Sequence, residues 1–298
     1  MKPKWMLIGV LLLAIPLFLF YRFPASQPDP FIVPIEQINS YQIPCTSIEI
    51  EGNCYQVEID LGTKTPLSLS SETLRKVKKH LCGTARRLDF QGNKYETPLY
   101  LIPLVKLGDN CLKNIKAKEE SEEFSTKGSI VCESREAPKV GRIGRDFFQK
   151  KHLLIDIKNQ ILIASDREKE LSQTSPAIPF KVTSDGWTVE VQTDLGKRTF
   201  GIDTGTTLSV IRSEPFKGTC IEEKNGMRFI QTEQFSIGGS DFGPRVLLIL
   251  PISPQFDEID GLLGMDFLKD HKVYLDFPAK RLMIEKNGEA EKVDDHER

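Results

Sequence analysis

Apolar residues recur at every second position along most of this chain, in short runs bounded by Gly, Asn, Asp and Pro. That is the signature of half-buried strands joined by tight turns. Ser47-Ile48-Glu49-Ile50 and Cys54-Tyr55-Gln56-Val57-Glu58-Ile59 alternate on either side of Glu51-Gly52-Asn53, which predicts a hairpin delivering Asp60-Leu61-Gly62-Thr63. Ser70 or Ser71 with Glu72 reads as a helix start, and Leu74, Val77 and Leu81 supply its stripe. A second hairpin pivots on Gln91-Gly92-Asn93, with Tyr95, Leu99, Tyr100 and Leu101 on the return side. The charged stretch Lys116 to Lys127 is expected to be a surface loop. Gly141 to Phe148 opens a short helix, and Leu153 to Ile163 gives two strands around Lys158-Asn159-Gln160.

The second half repeats this order. Thr188 to Gln192 and Arg198 to Ile202 form a hairpin across Asp194 to Lys197, running into Asp203-Thr204-Gly205-Thr206-Thr207. A flap-like pair of strands surrounds Lys224-Asn225-Gly226. Gly261-Leu262-Leu263-Gly264-Met265-Asp266-Phe267 opens the next helix, and Val273 to Ile284 closes around Pro278-Ala279-Lys280. Gly141, Gly144, Asp146, Phe147 and Asp156 each meet an identical residue 120 positions later, at Gly261, Gly264, Asp266, Phe267 and Asp276. The economical account is an all-β protein of two homologous lobes, produced by internal duplication.

The N-terminus breaks the pattern. Trp5 to Tyr21 is apolar apart from Gly9 and Pro16, with Lys2 and Lys4 before it and Arg22 after. These 17 residues suit an N-inside membrane anchor, or a signal peptide cleaved on export. Either way the folded part is expected outside the cytoplasm. The organisation that follows is an anchor or signal over 1–22, a Pro-rich stalk over 23–40, and a first lobe over 41–165. A linker over 166–176, a second lobe over 177–286 and a charged tail over 287–298 complete the chain.

Charge and composition then narrow the chemistry. The 298 residues carry 40 basic and 42 acidic side chains, for a net charge of −2. That near balance offers no basic surface for nucleic acid. Six cysteines (45, 54, 82, 111, 132 and 220) contain no CxxC, and four histidines form no ligand-spaced pair, so no structural metal or cofactor is expected. Disulfides are allowed outside the cytoplasm. Asp146 and Asp266 stand at helix starts, where capping accounts for them. Asp156 and Asp276 alternate with apolar neighbours, which predicts a solvated strand face. Tyr95 and Tyr100 are read as core or surface aromatics before any role on a flap.

What remains is one carboxylate per lobe at the tip of a small-residue turn. A strand running into Asp-x-Gly, a hairpin, then apolar–apolar–Gly before a short helix, all occurring twice, resembles the pepsin/retropepsin-like aspartic peptidases. The match is full at Asp203-Thr204-Gly205-Thr206-Thr207 with Leu262-Leu263-Gly264. It is looser at Asp60-Leu61-Gly62-Thr63 with Arg142-Ile143-Gly144. The resemblance implies a single chain, expected to be a monomer, that binds a protein or peptide substrate between its lobes. Asp60 and Asp203 would share one proton and activate a water. Gly62, Thr63, Thr204, Gly205, Thr206, Ile143, Gly144, Leu263 and Gly264 would support the pair.

Two departures from the family pattern are visible. In the family the Thr of each motif bonds across the lobe interface; Thr204 can do so and Leu61 cannot. Leu61 therefore either packs in an asymmetric working site or marks a lobe that has lost its geometry. Arg142 replaces an apolar residue, and Lys64 places a second cation four residues past Asp60. The alternatives to a peptidase are a non-catalytic peptide- or protein-binding module on the same fold and a cell-envelope scaffold.

Overall fold

A computed structural model describes residues 31–39, 42–88, 94–120, 140–149, 151–166, 175–214, 216 and 221–287. The anchor or signal segment, the turn Gln91-Gly92-Asn93, most of the linker and the charged tail lie outside the described residues. Among the described residues no helix is long and apolar enough to cross a membrane.

The chain is almost entirely β, and its first half closes on itself. Pro44–Ile50 pairs with Asn53–Asp60, which pairs in parallel with Gly141–Gly144. That strand lies antiparallel to Leu67–Ser70, which runs parallel to Asn110–Glu120. Asn110–Glu120 pairs with Lys94–Leu107, and Leu107 and Lys106 return to Ile48 and Glu49. The ring of six strands is therefore complete, and closure removes exposed edges. His80–Leu88 adds outside it, along Lys94–Leu107.

The second half uses the same pairings. Trp187–Thr193 pairs with Gly196–Ile202, which runs parallel to Gly261–Leu263. Val210–Arg212 lies antiparallel to Gly261–Leu263 and parallel to Arg245–Leu250. Ile221–Lys224 and Met227–Thr232 form the predicted hairpin, with Asn225 and Gly226 both at positive φ as its tight turn requires. The duplication inferred from residue identities is thus also a duplication of strand order.

A further antiparallel set joins the halves. Phe31–Pro34, Ile161–Ser165, His152–Asp156, His271–Asp276, Arg281–Lys286 and Ile178–Val182 lie side by side in that order. Across its middle Leu154 faces Tyr274 and Ile155 faces Val273. Residues 152–165, assigned from sequence to the first lobe, therefore share a sheet with the end of the second. Residues 31–34, read as stalk, form its edge strand, with Phe31, Val33 and Ile35 buried.

Three other expectations are corrected. Lys116 to Glu120 is strand, the end of Asn110–Glu120, which buries Leu112 and Ala117; residues 121–127 lie outside the described set. Ser71–Lys76 is helical with Ser70 as its cap, but Leu81 lies in the next strand and is exposed. Asp156 and Asp276 are buried, not solvated. Each accepts the backbone N–H three residues on (Asn159 and Ala279, both 3.0 Å) and so caps its hairpin turn.

The core contains Trp187, Phe148, Phe200, Phe235 and Phe267, all fully buried. Strands leading to the two aspartates are covered on both faces, which is why Val57, Glu58, Ile59 and Asp60 are buried in succession. Among the described residues Cys54, Cys82 and Cys111 are exposed free thiols.

Candidate active site

Asp60 ends its strand and Asp203 follows the equivalent one, and the fold brings the two carboxylates together. Their turns touch across the interface, although the backbone hydrogen bonds favour Asp203. The Gly62 N–H donates to Asp203 Oδ1 (3.1 Å) across the interface, and the Gly205 N–H donates to the same oxygen (2.7 Å). A methyl group on Gly62 would overlap the Asp203 carboxylate, and one on Gly205 would overlap that of Asp60. Each aspartate thus rests on the other half's glycine.

The turns are strapped from below by the apolar–Gly segments. Arg145 N donates to Thr63 O (2.8 Å) and Asp146 N to Lys64 O (3.1 Å). In the other half Met265 N reaches Thr206 O (2.9 Å) and Asp266 N reaches Thr207 O (3.1 Å). Ile143 and Leu263 are buried beneath, and Asp203 N donates to Leu263 O (3.0 Å). Side chains at Gly144 and Gly264 would collide with the turns above them. Asp266 does not cap by standing before its helix; it accepts from Ser209 N (2.8 Å), Ser209 Oγ (2.7 Å) and Phe267 N (3.0 Å). Asp146 takes its side-chain bond from Gln149, just past the short helical turn Arg145–Phe147.

Thr204 links the halves as its motif implies. Its hydroxyl donates to Ile59 O (2.6 Å) and accepts from Leu61 N (3.0 Å). Leu61, in the matching position, is fully buried among apolar neighbours. The cross-link is therefore one-sided, and packing replaces its second half. Thr204→Val keeps the shape but leaves the buried Leu61 N–H without this acceptor. The expected loss is roughly 1–3 kcal/mol of stability, read by denaturant unfolding. An unchanged midpoint would show that the link does not hold the halves together.

The asymmetry continues at the hydroxyls. Thr63 holds Asp60 from its N–H (3.0 Å to Oδ1) and its Oγ1 (2.9 Å to Oδ2). Thr206 instead turns its hydroxyl to Leu208 O (3.3 Å), so its place in the site is as a backbone strap. The cation beside Asp60 is Arg142, not Lys64. Arg142 donates to Asp60 Oδ2 (3.0 Å) and lies 3.5 Å from Glu58 and 3.4 Å from Glu120. Lys64 is exposed, and its charge bears on Asp146.

These contacts drive the two acids apart. Burial pushes Asp60 up, but Arg142 and the two Thr63 hydrogen bonds prevail and hold it below the ordinary carboxylate range. Burial and then the charge of Asp60 raise Asp203 to about 7. The pair therefore holds one proton between the lowered range of Asp60 and about 7.

Arg145 was not signalled by any motif. It is buried and donates to Gly62 O and to Ser184 O (2.8 Å), tying the Asp60 turn to the second half. The available signal was a charge where the duplicate has Met265. Tyr100 packs against the core beneath Lys79, whereas Tyr95 lies nearer the hairpin tip, opposite Arg87. Among the described residues no group of His, Cys, Asp and Glu is placed to hold a metal ion.

This arrangement is the fold of the pepsin-like aspartic proteinases. A solved aspartic proteinase from Irpex lacteus superposes with a TM-score of 0.56, covering 87% of this chain and 98% of its own, at 13% identity. No family model matches the sequence, and no curated protein does.

Proposed function

We propose that the protein is an aspartic endopeptidase that hydrolyses peptide bonds with Asp60 and Asp203. The observation carrying this reading is that two buried carboxylates, one from each half, lie each against the other half's glycine at the place where the fold joins its halves. Charged Asp60 takes a proton from a water as that water attacks the scissile carbonyl carbon. Protonated Asp203 gives its proton to the carbonyl oxygen. Collapse of the tetrahedral diol then returns a hydroxyl proton to Asp203 while Asp60 delivers its proton to the departing amine. The dyad ends in its starting state. Extended substrate strands would be held by main-chain hydrogen bonds between the halves. The reading also keeps the apolar segment Trp5 to Tyr21 as an anchor or export signal, with the enzyme acting outside the cytoplasm.

The pH dependence follows from the two directions. Asp60 must be ionised, and its lowered value keeps it so into the acid range. Asp203 must be protonated, which holds below about 7. The expected kcat/KM profile is a bell whose alkaline limb falls near neutrality. A rate that stays flat or still rises through pH 8 would show that Asp203 is not the acid.

The direct test is digestion of a mixed peptide library by the full chain between pH 3 and 8, with products mapped by mass spectrometry. Internal cleavage is expected. Peptides bound but uncut by folded protein at every pH would identify a binding module instead.

A further inference from the structure

We propose that Arg142 is a positioning residue that fixes the division of labour in the dyad, keeping Asp60 as the charged base and the shared proton on Asp203. The proposal rests on the peptidase reading for its use, though its geometry stands apart from turnover. The two carboxylates sit in matching turns, but their hydrogen bonds differ: Thr63 holds Asp60, while both glycine N–H groups go to Asp203 Oδ1. The guanidinium adds a full charge to that difference. It donates to Asp60 Oδ2, the oxygen that Thr63 Oγ1 also holds, so both donors favour the ionised form of Asp60. The corresponding position in the second half is Leu262, which carries no charge.

A lone cation beside a dyad has an opposite danger. It stabilises the state in which both acids are ionised, and that state cannot donate to a carbonyl oxygen. The neighbours of Arg142 counter this. From its partner strand comes Glu58, two residues before Asp60 and therefore on the same side. From the end of Asn110–Glu120 comes Glu120. Arg142 is less than a quarter exposed, and Glu58 and Glu120 less still, so these charges act on one another with little screening. The two glutamates outweigh the single arginine beyond its contact with Asp60. The cation is thus felt strongly at Asp60 Oδ2 and weakly at Asp203. Asp203 itself is faced by Asp60 and by the Arg145 guanidinium, which Asp146 and Asp185 in turn offset. Its Oδ1 carries both glycine N–H bonds, which leaves Oδ2 for the proton.

The test reads the dyad without substrate. Carboxyl carbons of the full chain, labelled at aspartate Cγ and assigned with Asp60→Asn and Asp203→Asn, are titrated by NMR. Arg142→Met should raise the Asp60 titration by roughly 1–3 pH units and bring the two aspartates closer together. Arg142→Lys, which keeps a cation, should restore most of the separation. Glu120→Gln should move both titrations down, since it removes the charge that offsets the arginine. That opposite sign guards against Arg142→Met failing to fold, because a merely structural ion pair would not produce it. Unchanged titration of Asp60 in a folded Arg142→Met protein would overturn the proposal, as would a rise in Glu120→Gln. Expected shifts in a protein that cuts no peptide would leave the proton assignment standing while the peptidase reading fell.

Discussion

Asp203→Asn should fold and cleave peptides at about one hundredth to one ten-thousandth of the wild-type rate, the range that positioned acid–base groups supply. Asn keeps the shape and can still accept the Gly62 and Gly205 N–H bonds at its carbonyl oxygen. It has no acidic proton to give to a scissile carbonyl. Asp60→Asn should lose as much for the complementary reason, because an amide cannot take the proton from water. The two variants should differ in stability. A carboxyl whose native value is raised binds its proton more tightly in the folded than in the unfolded state. Its contribution is therefore full at pH values below 4 and is lost as pH rises towards about 7. Asp203→Asn removes that loss and should raise the melting temperature at pH 7 relative to wild type. Asp60 has the opposite sign: its lowered value stabilises the fold above the ordinary carboxylate range, and Asp60→Asn also leaves Arg142 without one partner. That variant should melt lower. Activity within tenfold of wild type in folded Asp203→Asn would remove the dyad as the source of catalysis.

How much of this site could be read without coordinates depends on what each residue touches. The 120-residue offset exposed the duplication because the glycines and aspartates that strap the turns are required by backbone contacts, which leave little choice of residue. Asp203 and Thr204 were legible for the same reason. Leu61 was visible as a departure, but only its complete burial shows that packing replaces the missing hydroxyl. Charged residues were the blind spot. Glu58 alternates with apolar neighbours, Glu120 fell in a stretch expected to be a loop, and Arg142 showed only as a departure from an apolar position, yet the three meet where three strands converge. Alternation reports that a strand has two faces; it does not report that both are covered. Asp156 and Asp276 were misread in the same way, since each satisfies its buried carboxylate with a turn N–H. Lys64 was nearer to Asp60 in sequence than Arg142, but a turn sends successive side chains in different directions, whereas parallel pairing places Arg142 opposite Glu58 and two positions from the partner of Asp60.

Gly205→Ala should cost on the order of 100-fold in kcat/KM, although it adds only one carbon. Neither Gly62 nor Gly205 has a positive φ, so alanine is acceptable to the backbone at both sites. The penalty is steric. The new methyl would overlap the carboxyl group of Asp60 at its carbon and both oxygens. Asp60 has little freedom to yield, since Thr63 holds both oxygens and Arg142 holds Oδ2. The Gly205 turn must therefore shift, and it carries the N–H that fixes Asp203 Oδ1. A displacement of about 1 Å at one carboxylate is thus transmitted to the other. Gly62→Ala makes the mirror-image collision with Asp203, whose carboxylate is held by backbone N–H groups and by Asp60 but by no guanidinium. Asp203 can give way more readily, so Gly62→Ala should retain more stability than Gly205→Ala while still losing rate. Melting curves and kcat/KM for both variants check this ordering. A Gly205→Ala protein that cleaves within threefold of wild type would mean the two carboxylates do not rest on each other's turns.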